Sequence, residues 1–174
     1  PHTDLNQGAI GFDLYSEAVR QQAMRMAMDS GQSQLTGRVT LGRDAERPAP
    51  ALLLFTPVYG QSLDVDSPAT RRSAIRGWVL APFRMDHMLR TALSPARGNT
   101  QLRVVDVTHG GQDVLYRDAG IDASHTFSQS LTMTFYGRRW RFDFFSGPIE
   151  TAAPQLAALN KLLLAGIATS LLLF

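Results

Sequence analysis

Ala51-Leu52-Leu53-Leu54-Phe55-Thr56-Pro57-Val58 is a nearly unbroken apolar run. A strand with no polar alternation is covered on both faces, so this run predicts the centre of a sheet, with Pro57 marking a bulge or edge near its end. Outward on the C-terminal side, Ile75 to Phe83 is a second apolar strand. The stretch between them, Gln61 to Ser73, holds two Asp, Ser67-Pro68 and Arg71-Arg72, the composition of an exposed excursion placed to fold over a pocket. Outward on the N-terminal side, Leu35 to Leu41 is a further strand, followed by a loop of Gly, Asp, Pro and Arg from Gly42 to Pro50.

Helices flank this sheet. From Ser16 to Ser30 the start and stop signals agree: Ser16 as cap, Glu17 in the first turn and Gly31 just past the end. Its apolar residues Val19, Ala23, Met24, Met26 and Ala27 recur at helical steps and leave Arg20, Gln21 and Arg25 outward. A second, short helix opens at Asp86, carries Met88, Leu89, Ala92 and Leu93, and ends before Pro95. Four strand-like runs follow: Leu102 to Val107, Asp113 to Arg117, Phe127 to Phe135 and Arg138 to Phe145. In the last pair Leu131, Met133 and Phe135 alternate with threonines, and Trp140, Phe142 and Phe144 with charged residues, so each strand has one apolar face. Tyr136-Gly137 supplies the hairpin turn, and the four runs are expected to form an antiparallel meander. The fold class is α+β.

At 174 residues the chain is long enough to bury about two thirds of its unfolded surface without metal or disulfide. It has no Cys, which removes disulfides, thiolate nucleophiles and Cys-held zinc. Seventeen basic residues stand against fifteen acidic, and the arginines are scattered instead of lying in a stripe, which argues against a nucleic-acid partner. There is no phosphate loop, dinucleotide fingerprint, His-Glu-x-x-His or Gly-x-Ser-x-Gly elbow. His2, His87, His109 and His125 are far apart, which does not support a metal site, and Asp13, Asp106 and Asp143 are expected to be paired or turn-capping carboxylates. Neither catalytic residues nor a cofactor are expected, and a hydrolytic enzyme ranks last among the readings.

The ends suggest a larger parent. Pro1 to Asn6 lacks the pattern of a signal peptide. Leu162 to Phe174 is apolar on every face apart from Thr169 and Ser170, short of the about 20 residues of a full span, and reads as the start of a transmembrane helix; a buried C-terminal helix is the other reading. The expected division is therefore 1–150 for a folded domain and 151–174 for a linker and truncated membrane helix.

The order of short motifs carries a resemblance. Gly11-Phe12-Asp13-Leu14-Tyr15-Ser16 leads into a helix ending in Asp29-Ser30-Gly31. Leu35-Thr36-Gly37-Arg38-Val39-Thr40-Leu41, Phe55-Thr56-Pro57-Val58-Tyr59, Gly77-Trp78-Val79, the helix from Asp86, Val105-Asp106-Val107 and Leu115-Tyr116 follow in turn. From about Gly11 to Gly147 this series resembles the CHASE domain of bacterial and plant sensory receptors. The resemblance implies PAS-like antiparallel sheets, with one at about 35–107 and membrane-proximal strands at about 102–147, and a stalk helix that is missing here. It also implies a small-molecule sensor outside the cytoplasm, in the inner membrane's periplasmic or extracellular space. Such a domain dimerises and signals through the membrane helix to a histidine kinase, nucleotide cyclase or diguanylate cyclase.

Plant members bind cytokinins, adenine derivatives, against strands that match Leu52 to Tyr59 and Gly77 to Phe83. The ligand site implied here takes hydroxyls from Thr36, Thr56 and Tyr59 and apolar walls from Leu54, Trp78, Leu80 and Phe83. Where the plant receptors carry adjacent glycines, this chain has Leu80 and Ala81, which take up room beside the sheet. A ligand-free dimerisation or partner-binding module, touching through the helix from Ser16 to Ser30, is the competing reading and predicts an apolar exposed stripe and no cavity.

Overall fold

The computed structural model describes residues 11–41, 50–61, 63–93, 100–121 and 127–146. Asp13 accepts the Tyr15 N–H at 2.9 Å and sets Leu14–Ser16 in a single 3₁₀ turn. The chain then enters helix α1 (Ala18–Ser30), whose cap is Glu17: its two carboxylate oxygens accept from the Val19 and Arg20 N–H groups at 3.0 and 3.1 Å. Ser16 is therefore not the cap; its hydroxyl donates to the Asp13 carbonyl instead. Gly31, at φ 72°, ends the helix in the left-handed conformation that glycine adopts without strain. The packed face is Ala23, Met24 and Ala27, while Met26 is 39% exposed.

The first sheet contains β1 (Gln34–Leu35), β2 (Ala51–Tyr59) and β3 (Ile75–Arg84) in that order, all antiparallel, so β2 is central as its apolar run requires. The strand expected over Leu35 to Leu41 is cut short. After Leu35 the Thr36 hydroxyl accepts the Leu53 N–H at 3.0 Å, and the chain rejoins β2 by one bridge, Val39 to Ala51. The excursion before β3 contains a helix, α2 (Pro68–Ala74), started by a reciprocal cap between Ser67 and Thr70 with Pro68 in the first turn. It packs beside α1: Arg71 donates to the Asp29 carbonyl at 2.8 Å, and Arg72 pairs with the Asp29 carboxylate at 2.7 Å. Helix α3 (Met85–Leu93) follows β3 directly.

The second sheet comprises β4 (Thr100–Asp106), β5 (Asp113–Arg117), β6 (Phe127–Phe135) and β7 (Arg138–Ser146). Its order is β5-β4-β7-β6, two hairpins joined through β4 and β7, and so not the expected meander. The buried residues explain the order: Leu102, Val104, Val105 and Asp106 of β4 are all buried, which an edge strand does not provide. Tyr136 and Gly137, at φ 44° and 82°, form the two-residue turn between β6 and β7 as expected.

The sheets meet where the Leu35 N–H donates to the Tyr136 carbonyl at 2.9 Å. One core joins them: Leu35, Leu52, Met85 and Leu89 pack with Leu102, Val104, Leu115, Tyr116 and Trp140. A second core lies between α1 and the other face of the first sheet, built from Ala23, Met24, Ala27, Val39, Ala51, Leu53 and Phe55. The architecture is α+β with antiparallel sheets and helices. Among the described residues no helix is long and apolar enough to cross a membrane. The tail at 151–174, the loop at 42–49, Pro95, His2 and His125 lie outside the described residues.

Candidate functional site

Strand alternation sends the residues of β2 to two different places. Ala51, Leu53 and Phe55 face α1; Leu52 and Leu54 face the second sheet. The β2–β3 register carries the division across, since Leu52 opposes Phe83 and Leu54 opposes Ala81, whereas Phe55 opposes Leu80 and Pro57 opposes Trp78.

On the second-sheet face lies a cavity of ≈ 300 Å³. Its first wall is Leu35, Leu52, Leu54 and Phe83 of the first sheet. Helix α3 supplies Met85, Met88 and Leu89, and the β6–β7 hairpin supplies Phe135, Tyr136, Trp140 and Phe142. The aromatic wall is built by pairs: Phe135 lies 5.3 Å from Trp140 and 6.1 Å from Phe142, ring centre to ring centre. Tyr136 is 56% exposed and stands at the mouth. The volume sits at the lower end of the about 300–1,000 Å³ of small-molecule sites.

No charged side chain lines this cavity. Its surface is carbon throughout, exposing neither the Tyr136 hydroxyl nor the Trp140 indole nitrogen. The latter is buried, and no described residue accepts its hydrogen bond. Trp78 differs, since its indole N–H donates to the Met24 carbonyl at 3.1 Å.

Of the expected site residues, the structure brings Leu54 and Phe83 into the cavity. The other five fall elsewhere. Thr36 is fully buried with its hydroxyl engaged by Leu53. Tyr59 donates its hydroxyl to the Met28 carbonyl at 2.6 Å, and burial raises its pKa above the ordinary value. Trp78 packs with the α1 core, and Leu80, 37% exposed, shares that side of the sheet. Thr56 is exposed and hydrogen-bonds Ser33 at 2.7 Å. Sequence reasoning missed the α3 and hairpin walls, although the alternation of Phe135, Trp140 and Phe142 was itself the signal.

The Asp143 cluster lies on the opposite face of the second sheet, whereas Asp106 and Arg138 share the face of Trp140. Asp143 accepts from Ser130 at 2.7 Å, Arg103 at 3.0 Å and Arg141 at 2.9 Å. Burial pushes its carboxyl up, but the hydrogen bonds from Ser130, Arg103 and Arg141 outweigh that and hold it below the usual carboxylate range. Asp106 accepts from the Thr108 N–H and from Arg138, and Asp13 caps a turn, so these three carboxylates are paired or capping as expected. Among the described residues no cluster of three His, Asp or Glu is placed to hold a metal.

The model of one protein family, the CHASE domain, matches residues 1–116. That span takes in α1, the first sheet, α3 and the β4–β5 hairpin as far as Tyr116. No curated protein matches the chain.

Proposed function

The chain belongs to the CHASE domain family, and we propose that its cavity is the ligand site of an extracytoplasmic sensor. The CHASE domain is a non-catalytic sensory domain of signalling receptors, placed outside the cytoplasm. The observation that carries the proposal is the apolar cavity between two sheets and a helix, because ligand occupancy there bears on three elements at once. The competing dimerisation module predicts an apolar exposed stripe and no cavity, and has no use for such a space.

In this reading residues 1–150 form a periplasmic sensor whose sheets are PAS-like halves, working as a homodimer. Residues 151–174 lead into the inner membrane, and a kinase or cyclase receives the signal. A ligand wedged between the sheets favours one spacing of them over another, which is the differential affinity that signalling needs. The ligand is more apolar than adenine. Adenine's amine and ring nitrogens all need partners, and the walls present aliphatic and aromatic carbon.

Thermal-shift screening of the chain against small apolar metabolites and adenine derivatives tests this, with Leu54→Trp to fill the cavity and Thr56→Ile as a control outside it. A saturable rise in Tm that Leu54→Trp abolishes and Thr56→Ile keeps is the expected result. A rise that survives Leu54→Trp places the ligand elsewhere and ends the proposal.

A further inference from the structure

Among the described residues the two sheets end in the edge strands β1, β3, β5 and β6, and the first three are guarded. β1 is two residues long, β3 carries Pro82 between Arg76 and Arg84, and β5 is five residues bounded by Asp113 and Arg117. Short length, proline and charge are the usual means of keeping an edge from pairing with another chain. β6 has none of them. It runs nine residues without a proline or a charged side chain, in a chain of seventeen basic and fifteen acidic residues. Every residue from Ser128 to Thr134 is exposed, Leu131 at 50% and Met133 at 43%.

The hairpin determines which backbone groups that edge offers. Phe135 and Arg138 flank a two-residue turn and so form a hydrogen-bonded pair, and by alternation Met133, Leu131 and Gln129 also bond β7. The N–H and C=O groups of Ser128, Ser130, Thr132 and Thr134 therefore point away from β7, to the open edge. We propose that this edge pairs antiparallel with β6 of a second copy of the chain, about a two-fold axis at Leu131, joining the two second sheets into one.

The strand is self-complementary in that register. Leu131 meets its own counterpart, Ser130 meets Thr132 and Ser128 meets Thr134, an apolar pair at the centre flanked by hydroxyl pairs. All four outward residues then lie in hydrogen-bonded pairs. Arg139 and Arg141 of β7 stand three strand spacings from their counterparts, about 14 Å, past the screening length of about 8–10 Å. A second copy carries this match by symmetry, whereas a foreign strand would need it by coincidence. The helix expected to make contact between copies, α1, has its apolar face against the first sheet. The pairing gives the homodimer of the sensor reading its surface, and it does not need the cavity to hold a ligand. One strand pair is well under the about 20–30 residues a side of a standard interface, so the isolated chain should dimerise weakly, in the micromolar range.

The chain has no cysteine, so single cysteines report the register. In a non-hydrogen-bonded antiparallel pair the Cα atoms are about 4.5 Å apart, within disulfide reach, and Leu131→Cys should give covalent dimers under mild oxidation. Met133→Cys and Val114→Cys, the latter on the β5 edge, replace residues 43% and 40% exposed. Met133 lies four residues along from its counterpart, about 14 Å, and both controls should link at most about a tenth as much. Thr132→Pro added to Leu131→Cys removes an outward N–H and spares the β6–β7 ladder, and should cut linking about tenfold. Equal linking at positions 131 and 133, or none by folded Leu131→Cys, overturns the proposal. Sedimentation of the unmutated chain adds a check that needs no variant, since a chain still monomeric at about 1 mM overturns it too.

Discussion

One strand, β2, serves two faces of the same sheet, and the faces differ in how they are filled. Towards α1, Ala51, Leu53 and Phe55 are at most 2% exposed and meet a helix whose contact residues include Ala23 and Ala27. Small residues let the helix lie close. Towards the second sheet, Leu52 and Leu54 meet bulky aromatic rings on a hairpin, and those rings hold the sheets apart around ≈ 300 Å³. The contrast teaches that an apolar strand covered on both sides can be structural on one and receptive on the other. The choice is made by partners distant in sequence.

The largest expected effect tests that contrast directly. Phe55→Ala, which empties a site 1% exposed in the filled core, should cost about 3–4 kcal/mol. Leu54→Ala, one residue along and bordering existing space, should cost about 1–2 kcal/mol, since its side chain is only partly buried and gives up fewer contacts. Urea midpoints with unchanged m-values measure both. Equal losses would mean that the two faces are packed alike.

The second sheet repeats the division with a polar face in place of a filled one, and its weight is read from pH. The folded-state pKa of Asp143 is held below its unfolded value, so its stabilisation is present above the unfolded pKa near 4 and is lost as pH falls through the folded value. Asp143→Asn should therefore cost about 1–2 kcal/mol at pH 7, discounted because Arg103 and Arg141 are about one-third exposed. That deficit should shrink steadily below pH 4. A deficit that holds constant down to pH 2 would show that the side chain matters by shape and not by charge.

How much of this was legible in the sequence depended on the range of the interaction concerned. Unbroken apolar runs placed β2 and β3, and period-two alternation β6 and β7, to within a residue or two, because these patterns are local. Gly31 and Tyr136-Gly137 were readable as a helix end and a turn for the same reason. Met24 displaced Met26 from the core of α1 because a helix rotates to suit the sheet beneath it, which no local pattern records. The site was half legible. Leu54 and Phe83 line the cavity while Trp78 and Leu80 lie on the α1 side, a division no local pattern shows, since β3 is apolar on both sides and only its register with β2 tells them apart. The Thr36 hydroxyl accepts from the Leu53 N–H where β1 breaks off, a bond that sequence spacing does not reveal. The hairpin wall came from strands some fifty residues beyond β3, whose approach to β2 depends on the sheet order.

Filling the receptive face gives a smaller effect of opposite sign. Leu54→Phe adds volume where there is room, and should stabilise by about 0.5–1 kcal/mol while weakening any ligand. The same enlargement in a filled core, Phe55→Trp, should destabilise by about 1–3 kcal/mol. Paired thermal melts settle the comparison, and a destabilising Leu54→Phe would mean that the space is needed for something other than a ligand.

The smallest effect marks where the receptive face stops. Thr56 lies on the same side of β2 as Leu54 but one pleat further out, exposed, opposite Val79, which is 61% exposed. It is beyond the reach of the second sheet, so the face there is plain surface. Thr56→Ile gives up only a solvent-facing hydrogen bond to Ser33, and should move stability by less than about 0.5 kcal/mol. Ligand affinity should not change. A large loss of binding in this variant would extend the site outward along β2 and β3, towards the open space above Gly77, and would make the exposed Val58 and Val79 part of it.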